Sequence, residues 1–167
     1  QLYVGSEGYA ERFYWLGRAR LLKKNLEEAE KNFKTCCSAL ELAKNKSFYN
    51  SSLFYIGKVN YEQGDYEEAV RYFEYVIQNG RKYTPAEYYE SLQKLALCYN
   101  YTENYTKTVD LYDKITGLKE TENGKAFDEK VYKSLGDRAA DAKTAMGRLA
   151  EALNLYQNNE YMLSAFY

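Results

Sequence analysis

The sequence predicts an all-α fold made of repeated pairs of antiparallel helices, and three observations support this prediction. A single proline occurs in 167 residues, so long helices can run without interruption. Residues 61–73, YEQGDYEEAVRYF, combine a turn signal with the beginning of an amphipathic helix. Related segments occur at 22–33, LKKNLEEAEKNF, and at 101–112, YTENYTKTVDLY, and such internal repetition is typical of helical-repeat proteins.

The turn at Gly64-Asp65 shows how one unit is built. Asp65 suits an N-cap, because its carboxylate can accept hydrogen bonds from the free N–H groups of the next turn. Glu68, three residues later, would complete a capping box, so a helix is expected to begin at Tyr66. Apolar residues recur at helical spacing on both sides of the turn. The segment therefore predicts two helices joined by a turn of three or four residues.

Capping signals predict the boundaries of the other units. Asn25 and Glu28 form a second capping pair before a helix at residue 26. A third helix start is expected at 84–87, where a cap, a first-turn proline and an acidic third position follow one another. Asn79-Gly80 and Gly117 are natural stop signals. These signals divide the chain into repeats at about 10–46, 50–80 and 85–117.

A small residue recurs before each turn, in the pairs Leu16-Gly17, Ile56-Gly57 and Leu95-Ala96. The small residues are separated by 40 and 39 positions, so the three units share one design. Glycine or alanine at a helix crossing allows two helices to approach closely while large residues fill the space beside them. We therefore expect the two helices of each unit to cross at these positions.

Each unit resembles a tetratricopeptide repeat, whose signature has a large residue, then Leu-Gly, and later an alanine and an aromatic residue in the second helix. The matching positions are Phe13, Leu16, Gly17, Ala29 and Phe33; Leu53, Ile56, Gly57, Tyr66, Ala69 and Phe73; and Leu92, Leu95, Ala96, Tyr105, Thr108 and Tyr112. The resemblance implies a right-handed superhelix. Arg20 and Asn60 depart from the pattern, because the family commonly has an aromatic residue there. The period of 39 to 40 residues exceeds the usual 34 and indicates lengthened second helices.

The region after Gly117 is less regular. The segment LKETENGKA predicts a loop, and helices are expected over 127–167. A stripe of apolar residues from Val131 to Tyr156 fits one long helix or two abutting helices. We favour a long helix ending near Gln157 and a short terminal helix, while Leu135-Gly136 leaves open a fourth unit. The whole chain is expected to be a single helical-repeat domain, 1–167, belonging to a larger protein.

The composition does not predict an enzyme, a metal site or a cofactor. Histidine, the commonest general base and metal ligand, is absent. The three cysteines lack the close pairing of a zinc site and are best explained as core residues, with redox or disulfide roles as alternatives. The carboxylates of NLEEAE and DYEEAV are explained as helix first-turn charges. Enzymatic activity remains a third interpretation after the two functions given below.

Charge and hydropathy restrict the classes of partner. The net charge of −1 provides no basic face for phosphates, so nucleic acid is not an expected partner. No apolar run is long enough to cross a bilayer, so direct membrane insertion is not expected either. Free cysteines favour a reducing compartment such as the cytoplasm, while an envelope-anchored bacterial protein stays open.

The resemblance implies a protein-interaction module that binds a peptide or protein segment in a concave groove lined by the first helix of each unit. The groove residues are expected to be aromatic, basic or amide-bearing, and they are Tyr14, Arg18, Phe54, Lys58, Tyr61, Gln93, Asn100 and Tyr101. The alternative is a regulatory sensor domain of a signalling protein or transcription regulator, in which a bound peptide changes the shape of the superhelix.

One subclass of the family binds the C-terminal carboxylate of chaperones through lysine, asparagine and arginine side chains. The corresponding positions in this sequence hold Tyr14, Arg18, Tyr55, Glu90 and Lys94. Only one of the five keeps the charge type of the subclass. Binding of a chaperone C-terminal carboxylate is therefore not expected.

Overall fold

The computed structural model describes residues 7–41, 46–121 and 127–164, and this part of the chain is helical and contains no strand. The all-α prediction is confirmed. The helices are α1 (Glu7–Leu22), α2 (Leu26–Leu40), α3 (Ser47–Gln63), α4 (Tyr66–Gln78), α5 (Pro85–Tyr101), α6 (Tyr105–Lys119) and α7 (Glu129–Ser164), with a short 3₁₀ segment at Gly80–Lys82.

The helices pack in chain order, and the odd-numbered helices also contact one another along the chain. Each of α1 to α5 contacts its successor, and α6 packs against α7. Contacts also join α1 to α3, α3 to α5 and α5 to α7. Two layers result, one of first helices (α1, α3, α5 and the beginning of α7) and one of second helices (α2, α4 and α6). Stacked helical hairpins of this kind are the predicted architecture.

The three turns between paired helices share one backbone geometry. The residue before each N-cap has a left-handed backbone, with φ of 59° at Lys24, 84° at Gly64 and 58° at Glu103. The next residue then caps the following helix by accepting a backbone N–H. These caps are Asn25 (3.4 Å from Glu28 N), Asp65 (3.1 Å from Glu68 N) and Asn104 (3.4 Å from Lys107 N). The repetition seen in the sequence is thus a repetition of turn structure.

Three of the expected boundary signals behave differently from the prediction. Asn25 caps α2, but its own N–H donates to the Arg20 carbonyl and not to Glu28. Asp65 caps α4, but the Glu68 carboxylate contacts Arg71 at 2.8 Å instead of returning to the backbone of the cap. Gly117 is not a stop signal, because α6 continues through it to Lys119. The capping box of Thr84 and Glu87, by contrast, is complete and confirmed.

The core is built around the helix crossings that the glycines permit. A Cβ atom at Gly17 would lie 2.7 Å from the Phe33 ring, and one at Gly57 would lie 3.0 Å from Tyr72 Cβ and 3.1 Å from the Phe73 ring. Phe33 and Phe73 are fully buried. The absence of a side chain at each glycine therefore makes room for a phenylalanine of the second helix.

We expect Gly57→Leu to lower the free energy of unfolding by about 1–3 kcal/mol, because the new side chain would overpack the α3–α4 crossing. Gly117→Leu is the matched control, since nothing lies within 4 Å of a Cβ at this helical position. The control should be neutral or slightly stabilising, because glycine is a poor helix former. Urea denaturation followed by circular dichroism measures both changes. Equal stability of Gly57→Leu and the parent chain would contradict the proposed crossing.

The three cysteines are core residues. Cys36 and Cys98 are buried, Cys37 is half-buried, and all three are free thiols. Burial raises the pKa of Cys37 and of Cys98 to about 12. Burial therefore favours the protonated thiol over the thiolate, which is the reactive form.

The C-terminal region differs from the prediction, because α7 runs without interruption from Glu129 to Ser164. No break occurs near Gln157, where the long helix was expected to end. Leu135 is buried, and a Cβ at Gly136 would lie 3.0 Å from the Tyr112 hydroxyl. The beginning of α7 therefore packs like the first helix of a fourth unit. No described helix is both long enough and apolar enough to cross a membrane.

Candidate partner-binding surface

The outward sides of the first helices form a continuous surface, which we call the first-helix surface. Its side chains come from α1, α3, α5 and the beginning of α7, and all are exposed or half-buried. They are Arg18, Tyr55, Lys58, Tyr61, Glu90, Lys94, Asn100, Tyr101 and Arg138. The contacts between alternate helices bring these residues together, although they are widely separated in sequence.

Three positive charges on this surface each rest on a tyrosine ring of a neighbouring first helix. Contacts of this kind are favourable because the face of an aromatic ring carries negative potential. The charge-to-centroid distances are 4.8 Å for Arg18 Cζ on Tyr55, 4.1 Å for Lys94 Nζ on Tyr61 and 4.7 Å for Arg138 Cζ on Tyr101. Each contact bridges two successive first helices, so the charges follow the length of the stack.

The carboxylates on the same surface are engaged with other cations. Lys58 Nζ lies 2.7 Å from Glu90 Oε1, and Lys24 Nζ lies 2.8 Å from Glu62 Oε2. Within the described part of the chain, Arg18, Lys94 and Arg138 have no carboxylate within 4.0 Å. The three tyrosine-bound cations therefore lack an anionic partner.

The two arginines donate hydrogen bonds to neutral groups instead. Arg18 Nη1 lies 3.3 Å from the Tyr14 hydroxyl. Arg138 Nη1 lies 2.7 Å from Asn100 Oδ1, and its Nη2 lies 3.2 Å from the Tyr101 hydroxyl. These bonds fix the position of each guanidinium group without neutralising its charge.

Glu90 and Glu62, the two carboxylates whose charges act on Lys94, are already paired with other lysines. Burial lowers the pKa of Lys94, and the charge of Lys58 acts in the same direction, while the charges of Glu90 and Glu62 oppose the shift only in part. The desolvated ammonium group is supported by the Tyr61 ring and by no direct ion pair in the described structure. Its positive charge is thus incompletely compensated.

A cluster of three tyrosines lies beside Lys94 and Arg138. The rings of Tyr66 and Tyr101 are stacked with centroids 4.3 Å apart, and Tyr61 meets Tyr66 edge-on at 5.6 Å. Burial raises the pKa of Tyr61 further above its ordinary value. The cluster offers rigid apolar area together with hydroxyl groups, as aromatic side chains at protein interfaces commonly do.

A groove opens between α1 and α3 at one end of the first-helix surface. Its volume is about 270 Å³, which is enough for a large side chain of a partner. Basic and apolar groups dominate its lining, which consists of Arg18, Leu21, Leu22, Lys24, Tyr55, Lys58 and Glu62. The groove extends the first-helix surface to the beginning of the stack.

Five of the eight residues that the sequence predicted for the groove lie on the first-helix surface: Arg18, Lys58, Tyr61, Asn100 and Tyr101. Tyr14 and Phe54 are buried instead. The Tyr14 ring packs against Phe33 and Phe48, and Phe54 packs against Phe73. Their expected place in the groove is corrected, because core packing leaves these rings out of reach of a partner.

Gln93 is also buried, and it holds the beginning of α7. Its Nε2 donates to the carbonyl oxygen of Asp128 at 2.9 Å, and its Oε1 accepts from the Asp128 N–H at 3.1 Å. The expected partner contact of Gln93 is therefore replaced by a contact within the chain.

Sequence reasoning missed Arg138 and did not assign Tyr55 or Lys94 to the groove. In the sequence, Tyr55 and Lys94 stand at positions that correspond to carboxylate-binding residues of the chaperone-binding subclass, and no other signal marks them as groove residues. Arg138 lies two residues after Gly136, so aligning Leu135-Gly136 with the earlier pairs could have placed it on a first helix.

Comparisons with known proteins agree with this architecture. Family models described as tetratricopeptide repeat match residues 10–39 and residues 51–79. Two crystal structures of TPR-like repeats of a Podosopora anserina protein, described as a kinesin light chain, are similar in fold, and one of them is a point variant. The variant has a TM-score of 0.67 at 16% identity, covering 95% of this chain and 76% of that one. The other has a TM-score of 0.65 at 16% identity, covering 94% and 76%. No curated protein sequence gives a significant match.

The fold is that of a helical-hairpin repeat protein. The chain contains tetratricopeptide repeats at residues 10–39 and 51–79. Repeats of this family generally mediate protein–protein interaction, and they typically serve as scaffolds and not as enzymes.

Proposed function

We propose that this chain is a non-enzymatic interaction module that binds a segment of a partner protein along the first-helix surface. The proposed partner is a protein, not a nucleic acid, and binding does not involve insertion into a membrane. It is supported by the continuity of the surface, since α1, α3, α5 and α7 each contribute side chains to it.

The observation that carries the proposal is the partly exposed tyrosine cluster at the centre of this surface. Tyr101 is 40% exposed although its ring is held by Tyr66 and by Arg138. A rigid exposed aromatic ring loses little conformational entropy on binding, and tyrosine and arginine are enriched among the residues that dominate interface energy. This combination fits a docking surface better than a simply solvated one.

We expect Tyr101→Ala to weaken partner binding by about 2 kcal/mol or more, because it removes a central aromatic contact. The partner would be captured from the source organism, identified by mass spectrometry, and titrated by calorimetry. Tyr75→Ala is the matched control, since Tyr75 is 37% exposed but lies on the second helix α4. The control should bind like the parent chain.

Both variants must melt close to the parent temperature for the comparison to hold. The opposite pattern, with Tyr75→Ala losing affinity and Tyr101→Ala keeping it, would move the site to the second helices. Equal affinity of both variants and the parent would also contradict the proposal.

A further inference from the structure

We infer that the partner segment is acidic and that its side-chain carboxylates bind Arg18, Lys94 and Arg138. The inference rests on the proposed function and specifies the chemistry of the partner. The three tyrosine-bound cations are the side chains that recognise the acidic residues of the partner.

Lys94 provides the strongest argument. A desolvated ammonium group is costly unless an anion compensates it. The nearest carboxylates do not fill this role, because Glu90 is bound to Lys58 and Glu62 is bound to Lys24. Lys94 Nζ lies 4.1 Å from the centroid of the Tyr61 ring and makes no direct ion pair in the described structure, and burial lowers its pKa. A carboxylate from a partner would supply the missing charge at a position that is already desolvated.

The two arginines are prepared for the same type of ligand. A guanidinium group has five N–H donors in a planar fork that fits a carboxylate with two hydrogen bonds. Arg138 uses donors on Asn100 and Tyr101, and Arg18 uses one on Tyr14, so further donors remain on each. Because the neutral contacts fix each guanidinium group in advance, a partner carboxylate meets a positioned charge.

The arrangement favours an acidic protein segment over a polyphosphate. Glu62 and Glu90 lie near these cations. They would repel a polyphosphate, because it carries a negative charge on every phosphate, whereas a protein segment can place its acidic side chains away from them. Neighbouring first helices are about 8–10 Å apart, and an extended chain advances about 3.3 Å per residue. The three cations therefore match a segment with an acidic side chain at about every third residue.

The test uses fluorescein-labelled synthetic peptides of thirteen residues in which glutamate occurs at every third position. Each peptide has a twin with glutamine in place of glutamate, and each is made with a free and with an amidated C-terminus. Fluorescence anisotropy measures binding to the 167-residue chain. We expect the glutamate peptides to bind at least tenfold more tightly than their glutamine twins, with no effect of amidation.

Variants of the chain locate the effect. Lys94→Gln should lose about tenfold in affinity for the glutamate peptide, and Lys94→Arg should retain most of it. Lys114→Gln removes the same charge from an exposed position on α6 and should change nothing. A glutamate peptide that binds Lys94→Gln as tightly as the parent chain would remove Lys94 from the proposed site.

The outcomes separate this inference from the proposed function. Equal binding of glutamate and glutamine peptides, both weakened by Tyr101→Ala, would overturn the acidic specificity and keep the surface. Loss of binding on amidation alone would show that a C-terminal carboxylate is the ligand and would also overturn the inference. Failure of every acidic peptide to bind would overturn it as well.

Discussion

Phe54→Ala is expected to lower the free energy of unfolding by about 3–5 kcal/mol, the usual cost of removing a buried phenylalanine ring. Phe54 is 2% exposed, and it packs beside the Tyr55 and Phe73 rings at centroid distances of 5.0 and 6.4 Å. The same core cluster contains Leu95 of α5, so the ring connects the second unit to the third. Its loss would weaken the crossing of α3 and α4 and the stacking of neighbouring units together.

Urea denaturation followed by circular dichroism measures this loss, with Leu22→Ala as the control. Leu22 is an apolar side chain on α1 that is 82% exposed, so its removal should change stability by no more than about 0.5 kcal/mol. If Phe54→Ala cost less than about 1 kcal/mol, the ring would be accessible, and Phe54 would return to the partner-binding surface. A large loss means that Phe54 variants cannot be used to measure recognition.

The sequence predicted the repeated hairpins because their signals are local. The amino-acid sequence contains the N-cap Asp65 and the small residue Gly57, and similar residues recur in the other units. The structure bears out these signals in the left-handed turns and in the contact of Gly57 with Phe73. Gly117 does not end α6, because glycine lowers helix stability only modestly and the helix is held by packing of other residues such as the buried Ile115.

The surface was predicted less completely, because helical periodicity cannot tell a half-buried aromatic residue from a fully buried one. Phe54 and Tyr55 are neighbours in sequence, yet Phe54 is fully buried, whereas Tyr55 is half-buried, with Phe33 stacked on its ring and Arg18 above it. The unpaired state of Lys94 depends on which lysine takes Glu90, and Lys58 of the neighbouring helix does so. Competition of this kind between side chains of different helices leaves no signal in a single sequence.

The continuity of α7 has a related physical basis. The sequence segment 156–164 resembles the turn at Gly64-Asp65, yet the helix continues through it. The left-handed position before a cap does not require glycine, since Lys24 and Glu103 occupy it in two other turns. No proline or glycine interrupts the chain after Gly147, so the helix can continue to Ser164. Sequence similarity alone does not produce a turn here. Such a turn also requires a residue in the left-handed conformation and a following helix that packs against the preceding one.

Gln93→Leu is expected to lower the free energy of unfolding by about 2–4 kcal/mol, because it leaves the N–H and C=O groups of Asp128 without their partner. Asp128 is the residue that caps α7, since its Oδ1 accepts from Lys130 N at 2.9 Å and from Val131 N at 3.1 Å. Gln93 therefore holds the beginning of α7 against α5. Leucine has nearly the same volume, so the change tests the hydrogen bonds more than the packing.

Hydrogen exchange followed by mass spectrometry shows which helices of Gln93→Leu lose local stability. Protection should fall in the first turns of α7, while the amides of α1 to α4 exchange as in the parent chain. Gln63→Leu, at an exposed position at the end of α3, is the control and should alter neither region. Because Arg138 reaches the first-helix surface from α7, loosening this helix should also weaken acidic-peptide binding, even though Gln93 itself is buried. Unchanged protection of α7 in Gln93→Leu would show that packing against α6 alone positions the helix and would separate Gln93 from the binding surface.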